Sequence, residues 1–416
     1  MGIKRALKPI IPILAMSLVL CSCSKSAQKS IRDYADEEDL PTLSIAARSG
    51  SYTDVISSVL AQFEEDNNCK VFITSFDSDE LHDEILENSQ KETGFYDVIM
   101  IDDPLMPEYI ENGVLCNLTK LGYIDDEDFV EKSRLLGKDP YPLGATYALP
   151  FSGNVQLIFY NEDIIGSNPD FSSWDNVLEY CQKANEAGKK GYAIRGQTGN
   201  PIVSDFLPIL WAFGADIFDD YDNVILDSKE SREALSFYCK LYETGECYNK
   251  DSLVEAISSG EAAIGLGWPS WFISGTGSKA AISQIPSKKD SSTEAFATGE
   301  IGNWLLGVSD NSTNKELALE LVRYLTSADV QKRTLSYGGI PTRKSVFRDQ
   351  DILTQYPFFE TIYNGTNNSR VRPRTTKWSQ IEDVFGAELM KCINNEQSID
   401  ATITNSHKAI KELVKE

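Results

Sequence analysis

Aromatic and carboxylate side chains, more than histidines or serines, carry the chemical potential of this 416-residue chain. Trp268 and Trp271 flank Pro269 in GWPSW, and Gly265, Gly267 and Pro269 put them on a turn, where a flat apolar face can meet a ligand. Core packing is the competing role for any tryptophan, and Trp174 and Trp211 read as core on their helix faces. Asp102 and Asp103 close an apolar strand, the end from which side chains emerge into a crevice, and an ionised carboxylate accepts several hydrogen bonds. Capping of the segment after Pro104 is the other role open to both. His82 and His407 stand in no HExxH spacing, and no GxSxG elbow or GxxxxGK[ST] loop occurs, which disfavours zinc-peptidase, serine-hydrolase and nucleotide-hydrolysing chemistry. The segment Gly275 to Ala280, GTGSKA, matches the relaxed GxGxxA fingerprint only formally, because its βαβ setting is doubtful. With 63 acidic residues, counting leaves a glycoside-hydrolase pair of carboxylates open. No catalytic residue, metal or cofactor is expected.

The N-terminus carries a different chemistry. Lys4, Arg5 and Lys8 precede an apolar run, Ile10 to Leu20, that is shorter than the roughly 20 residues needed to span a bilayer. The pattern reads as a signal peptide over 1–22. The run ends in Leu20-Cys21-Ser22-Cys23, which resembles a bacterial lipobox, with Leu three positions before Cys23 and a small residue directly before it. Bulky Leu20 precedes Cys21, so Cys23 is the expected lipidation site; ordinary secretory cleavage is the plainer alternative. Residues 23–40 would then be the lipidated cysteine and a polar tether.

The net charge of −24 argues against a phosphate-backbone partner, so nucleic acid is not expected. Loss of 1–22 removes three basic and no acidic residues, leaving 36 basic against 63 acidic, a charge of −27. An anionic membrane repels such a body, and the acyl anchor must hold it there. Cys69, Cys116, Cys181, Cys239, Cys247 and Cys392 are scattered with no C-x-x-C pair and read as buried thiols. A local Cys239–Cys247 bridge stays open.

Short β-rich runs alternate with amphipathic helices, the pattern of an α/β protein. Strands are expected at Leu43 to Ala47, Lys70 to Phe76, Tyr96 to Ile101 and Asn303 to Val308, with two extended pieces between Tyr147 and Tyr160 around Pro150 and Gly153. Helices are expected over Thr53 to Asn67, Trp174 to Ala187 behind a Ser172 or Ser173 cap, Ser204 to Ala215, Lys229 to Glu243, Lys315 to Thr326 behind a Ser312 cap, Trp378 to Cys392 and Ile399 to Val414. Strands recur on both sides of a helical middle. Two interleaved lobes joined by more than one crossing therefore fit better than separate consecutive domains.

Segments in a particular order complete the reading: YDVIMIDDPLMPEYIENGVLCNL, YALPFSGNVQLIFYNEDI, GWPSW, IGNWLLGVSDNSTNKELALELVRYLTS, GGIPTRKS and RPRTTKWSQIEDVFGAEL. From Leu43 to about Ser398, the chain resembles the extracellular solute-binding proteins of bacterial ABC importers, in particular the sugar-binding family that includes maltose-binding protein. The resemblance implies an α/β, two-lobe periplasmic-binding-protein-like (Venus flytrap) fold with interleaved lobes and a hinge. One lobe would be 41–152 with 302–340 and the other 153–301 with 341–416. It further implies a non-enzymatic, monomeric, exported lipoprotein that captures a sugar or oligosaccharide and delivers it to ABC permease subunits.

The resemblance also bears on individual residues. It adds weight to Trp268 and Trp271, and it matches Trp378 to a place where the family tends to carry an aromatic that stacks on sugar; Trp304, in a crossing strand, is a further candidate. Asn154 matches a polar ligand contact beside the hinge glycine, against a purely structural turn role, and Ser51 with Tyr52 matches a ligand-contacting loop, where Ser51 could also be an N-cap. Asp205, in GNPIVSDFLPILWAFGADIF, resembles a residue of the helix on the far cleft wall. Arg374 could reach a hydroxyl or an acidic sugar, with a surface salt bridge as the default for both Arg374 and Arg343. Two alternatives remain: the same fold holding a polyamine, peptide or iron chelate, or a lipid-anchored glycoside hydrolase.

Overall fold

The computed structural model describes residues 40–272, 280–290, 292 and 298–415. Signal peptide, Cys23 and nearly all of the tether lie outside the described residues, as does most of the Gly275 to Ala280 fingerprint. In chain order the strands are β1 (Thr42–Arg48), β2 (Lys70–Phe76), β3 (Val98–Asp102), β4 (Lys138–Asp139), β5 (Ala145–Thr146), β6 (Ala148–Ser152), β7 (Leu157–Asn161), β8 (Lys190–Arg195), β9 (Glu246–Tyr248), β10 (Ala262–Gly267), β11 (Ala280–Ser283) and β12 (Trp304–Val308). β4 and β5 pair only with each other.

The others form two five-stranded sheets, ordered β2-β1-β3-β12-β6 and β11-β7-β10-β8-β9. β3, β6, β7 and β10 are apolar runs buried almost throughout, as strands covered by helices on both faces must be. In the first sheet β1 runs parallel to β2 and β3, and β12 enters antiparallel between β3 and β6. One hydrophobic core wraps this sheet, and two further cores cover the faces of the second. The mixed α/β architecture is that of a two-lobed Venus flytrap, with three stretches of backbone crossing between the sheets.

Those crossings lie side by side. Gly302 N–H donates to Asn154 O at 3.0 Å and Gln156 N–H to Glu300 O at 2.9 Å, while Gly153 N–H donates to Ile340 O at 3.0 Å. Gln156 also serves a helix. Pro208 has no N–H to give Ser204 O four residues back, and the Gln156 side-chain amide donates to that carbonyl at 2.8 Å. The helix Asn200–Ala212 is thereby kept intact and tied to the crossing.

Several boundaries differ from expectation for local reasons. The helix foreseen over Thr53 to Asn67 is two, Ser51–Ser57 and Leu60–Asn67, because the Ser58 hydroxyl donates back to Val55 O at 2.7 Å where the chain bends. The helix expected from Ser204 starts at Asn200, with Gly199 at φ +83° before it and Pro201 in its first turn, where the missing N–H costs nothing. Ser173, not Ser172, caps Trp174–Glu186. Ser312 is not the residue at the start of Lys315–Leu325; its hydroxyl accepts from Asn314 N–H and donates to Asp97 at 2.6 Å.

Candidate ligand-binding cleft

A cleft of about 830 Å³ opens between the two sheets, within the range of small-molecule sites. Strand ends supply much of it. The register sets Trp304 opposite Asp102 on one side and Ser152 on the other, so the end of β3 and the start of β12 present a carboxylate beside an indole. Across the cleft, β8 ends in Arg195 and β10 runs into the turn that carries Trp268 and Trp271.

Three polar residues meet at the crossing. The Asn154 amide donates to the Tyr52 hydroxyl and to Ser270 Oγ, both at 2.9 Å, and its Oδ1 accepts from Ser270 N–H at 3.2 Å. Tyr52 comes from the first turn of the helix Ser51–Ser57 and Ser270 from the one-turn helix Pro269–Phe272, so the triad spans the cleft. Burial pushes the Tyr52 hydroxyl up to about 12, keeping it a neutral donor and acceptor. The Tyr52 and Trp304 rings lie 5.5 Å apart at 47°. Trp268 packs over Gly302, where the first carbon of any side chain would collide with the indole. Trp271 faces the Arg195 guanidinium at 4.8 Å and Lys250 Nζ at 6.0 Å, within reach of cation–π attraction.

A charged network supports the floor. Arg372 Nη2 donates to Asp102 Oδ1 at 2.7 Å and Asp103 Oδ2 at 3.2 Å, and its Nε stands 3.9 Å from Glu300. Ser204 Oγ donates to Glu300 Oε2 and Asn200 Nδ2 to Glu382 Oε1, each at 2.7 Å. Burial raises Asp103 to about 6, Glu300 to about 7 and Glu382 to about 8, with Arg372 pulling each back down. Glu382 reaches this place because Gly386, one turn on, packs directly against Gly199 at the start of Asn200–Ala212.

Seven of the expected residues line the cleft: Ser51, Tyr52, Asp102, Asn154, Trp268, Trp271 and Trp304. Four do not. Asp103 turns away beneath Asp102 and is fully buried against Arg372. Asp205 is buried, accepts the Tyr238 hydroxyl at 2.8 Å and is raised to about 7 by burial. Trp378 lies in the core with Ile381 and Phe385, and Arg374 donates to the carbonyls of Asp103 and Leu136. Arg343 is likewise no surface residue: it is buried over the Phe129 ring, bonded to Thr326 O and paired with Asp126.

Arg195, Asn200, Ser270, Arg372 and Glu382 also line the cleft and were not anticipated. Arg195 obeys the strand-end rule that pointed to Asp102, but KGYAIR is a short strand amid helices. Arg372 shares RPR with Arg374, and nothing local ranks one above the other. Among the described residues no group of three or more His, Cys, Asp or Glu side chains is placed to hold a metal ion.

Two α/β lobes about a cleft walled by indoles and floored by paired charges define a binding protein of the flytrap type. The chain belongs to the family of bacterial extracellular solute-binding proteins, which matches it over residues 58–361. Among curated relatives, a probable ABC transporter-binding protein of Deinococcus radiodurans is 24% identical over 280 residues, 61% of this chain and 66% of that protein. An arabinooligosaccharide-binding protein of Halalkalibacterium halodurans is 22% identical over 305 residues, 66% of this chain and 65% of that protein. The match thus spans just under two thirds of these relatives' length. Maltose-bound MalE3 of T. maritima has the same fold, with a TM-score of 0.78 at 24% identity over 89% of this chain and 99% of that one.

Proposed function

We propose that this protein captures a sugar or oligosaccharide in the cleft, closes about the crossing segments, and presents the loaded form to the permease of an ABC importer. The carrying observation is the convergence of Trp268, Trp271 and Trp304 with Tyr52, Asn154 and Asp102 on one cavity. A sugar offers apolar C–H faces and polar rims, which indole faces and hydrogen-bonding side chains match. The names of two relatives, arabinooligosaccharide-binding and maltose-bound, support the same ligand class. In this reading 41–152 with 302–340 moves against 153–301 with 341–416, the protein acts as a monomer without catalysis, and Cys23 bears the lipid anchor.

Calorimetry on the purified mature chain against mono- and oligosaccharides, polyamines, peptides and iron chelates tests the ligand class. Binding of a sugar with no product after long incubation is expected; response to another class alone overturns the sugar assignment, and turnover overturns pure capture. Metabolic labelling with a fatty acid tests the anchor, with label expected in the wild type and lost in Cys23→Ala.

A further inference from the structure

Cys239 and Cys392 are 153 positions apart, yet their sulfurs lie 3.9 Å from one another. Cys239 sits in the helix Lys229–Thr244 and Cys392 in the helix Trp378–Ile393, both packed on one core of the second sheet. Cys239 is half-buried and Cys392 is 5% exposed. The local Cys239–Cys247 pairing has no such contact: the Cys247 side chain packs instead against Gly196. All six described cysteines are thiols.

We infer that Cys239 and Cys392 form a thiol–disulfide site, closed by a small disulfide oxidant that enters at Cys239. A disulfide bond is about 2.05 Å long, so the sulfurs must approach by roughly 1.9 Å, a distance that side-chain rotation at two helix positions can cover. The first step joins Cys239 Sγ to one sulfur of a low-molecular-weight disulfide and releases the other as a thiol. In the second step Cys392 Sγ, as thiolate, attacks Cys239 Sγ and displaces the remaining small thiol. Two cysteines lose two electrons and two protons in all, and one oxidant disulfide becomes two thiols.

The bond would tie Lys229–Thr244 to the helix whose earlier turns bring Ser379, Glu382 and Asp383 to the cleft wall. It would also close a loop of more than 150 residues in the unfolded chain, which favours the folded state. Neither consequence depends on the ligand being a sugar.

The test treats the folded mature chain with oxidised glutathione or with dithiothreitol, then maps thiols by alkylation and peptide mass. Oxidation is expected to yield one cross-linked peptide pair containing Cys239 and Cys392 and to raise Tm by about 5 °C. Cys239→Ser, at the more accessible position, should show no oxidant-dependent rise. Cys392→Ser should stop at a glutathione adduct on Cys239. Complete alkylation of both cysteines after oxidation, a stable adduct in the wild type, or an equal Tm rise in Cys239→Ser overturns the assignment.

Discussion

Asn154 and Ser270 hold each other through two hydrogen bonds, amide Nδ2 to Oγ at 2.9 Å and Ser270 N–H to Oδ1 at 3.2 Å, and the same amide reaches Tyr52 across the cleft. A residue of the first crossing therefore reads the position of both walls. Its backbone carbonyl is bonded as well, accepting from Gly302 N–H and from the Asn303 side chain.

Asn154→Ala leaves the Ser270 N–H and two hydroxyls without this partner in a buried place. A loss of about 1 kcal/mol in folding stability is expected, read from urea unfolding, because the amide's hydrogen bonds are lost while the Tyr52 and Ser270 hydroxyls keep each other at 3.3 Å. An unchanged midpoint would mean that the triad is not closed in the free protein.

Trp271→Ala and Trp378→Ala should separate binding from packing. Trp271, at the cleft, is expected to cost about tenfold or more in sugar affinity by calorimetry and little stability. Trp378 is 1% exposed, and its truncation should cost about 3–5 kcal/mol while folded molecules keep their affinity. Reversed outcomes would return Trp378 to the ligand and Trp271 to the scaffold.

Stability should fall between about pH 4 and pH 8. Asp103, Glu300, Asp205 and Glu382 hold protons in the folded state up to about 6, 7, 7 and 8, whereas an unfolded chain releases them near ordinary carboxylate values. The folded state therefore binds more protons over this window, and each group removes up to about 1.4 kcal/mol per pH unit from its unfolded value until pH passes its folded one. Glu382→Gln fixes the neutral form and keeps an oxygen for Asn200 to donate to, so its slope should be shallower. A variant with the wild-type slope rules Glu382 out as a contributor.

Much of the fold was legible because the long apolar strands and periodic helices have only one reasonable assignment; β3 and the helix Trp378–Ile393 were foreseen to within two residues. The site was legible where local rules apply, at the end of β3 and at the glycine-flanked GWPSW turn. It was lost where the deciding contact is distant. Asp205 has its partner Tyr238 33 residues on, and Arg372 gains its role only when β3 and a late loop meet. Trp378 is a different miss: Trp378, Ile381, Phe385 and Leu389 share one helix face, and that spacing alone pointed to the core.

The placement of β12 has a kinetic consequence. It lies inside the first sheet, between β3 and the edge strand β6, yet it is made roughly 150 residues after β6. Until position 308 has left the ribosome, β3 and β6 keep open edges and the N-terminal half lacks the strand that would join them. Contacts so remote in sequence form slowly. Under the export proposed above, a delayed commitment to structure would suit passage across a membrane ahead of folding.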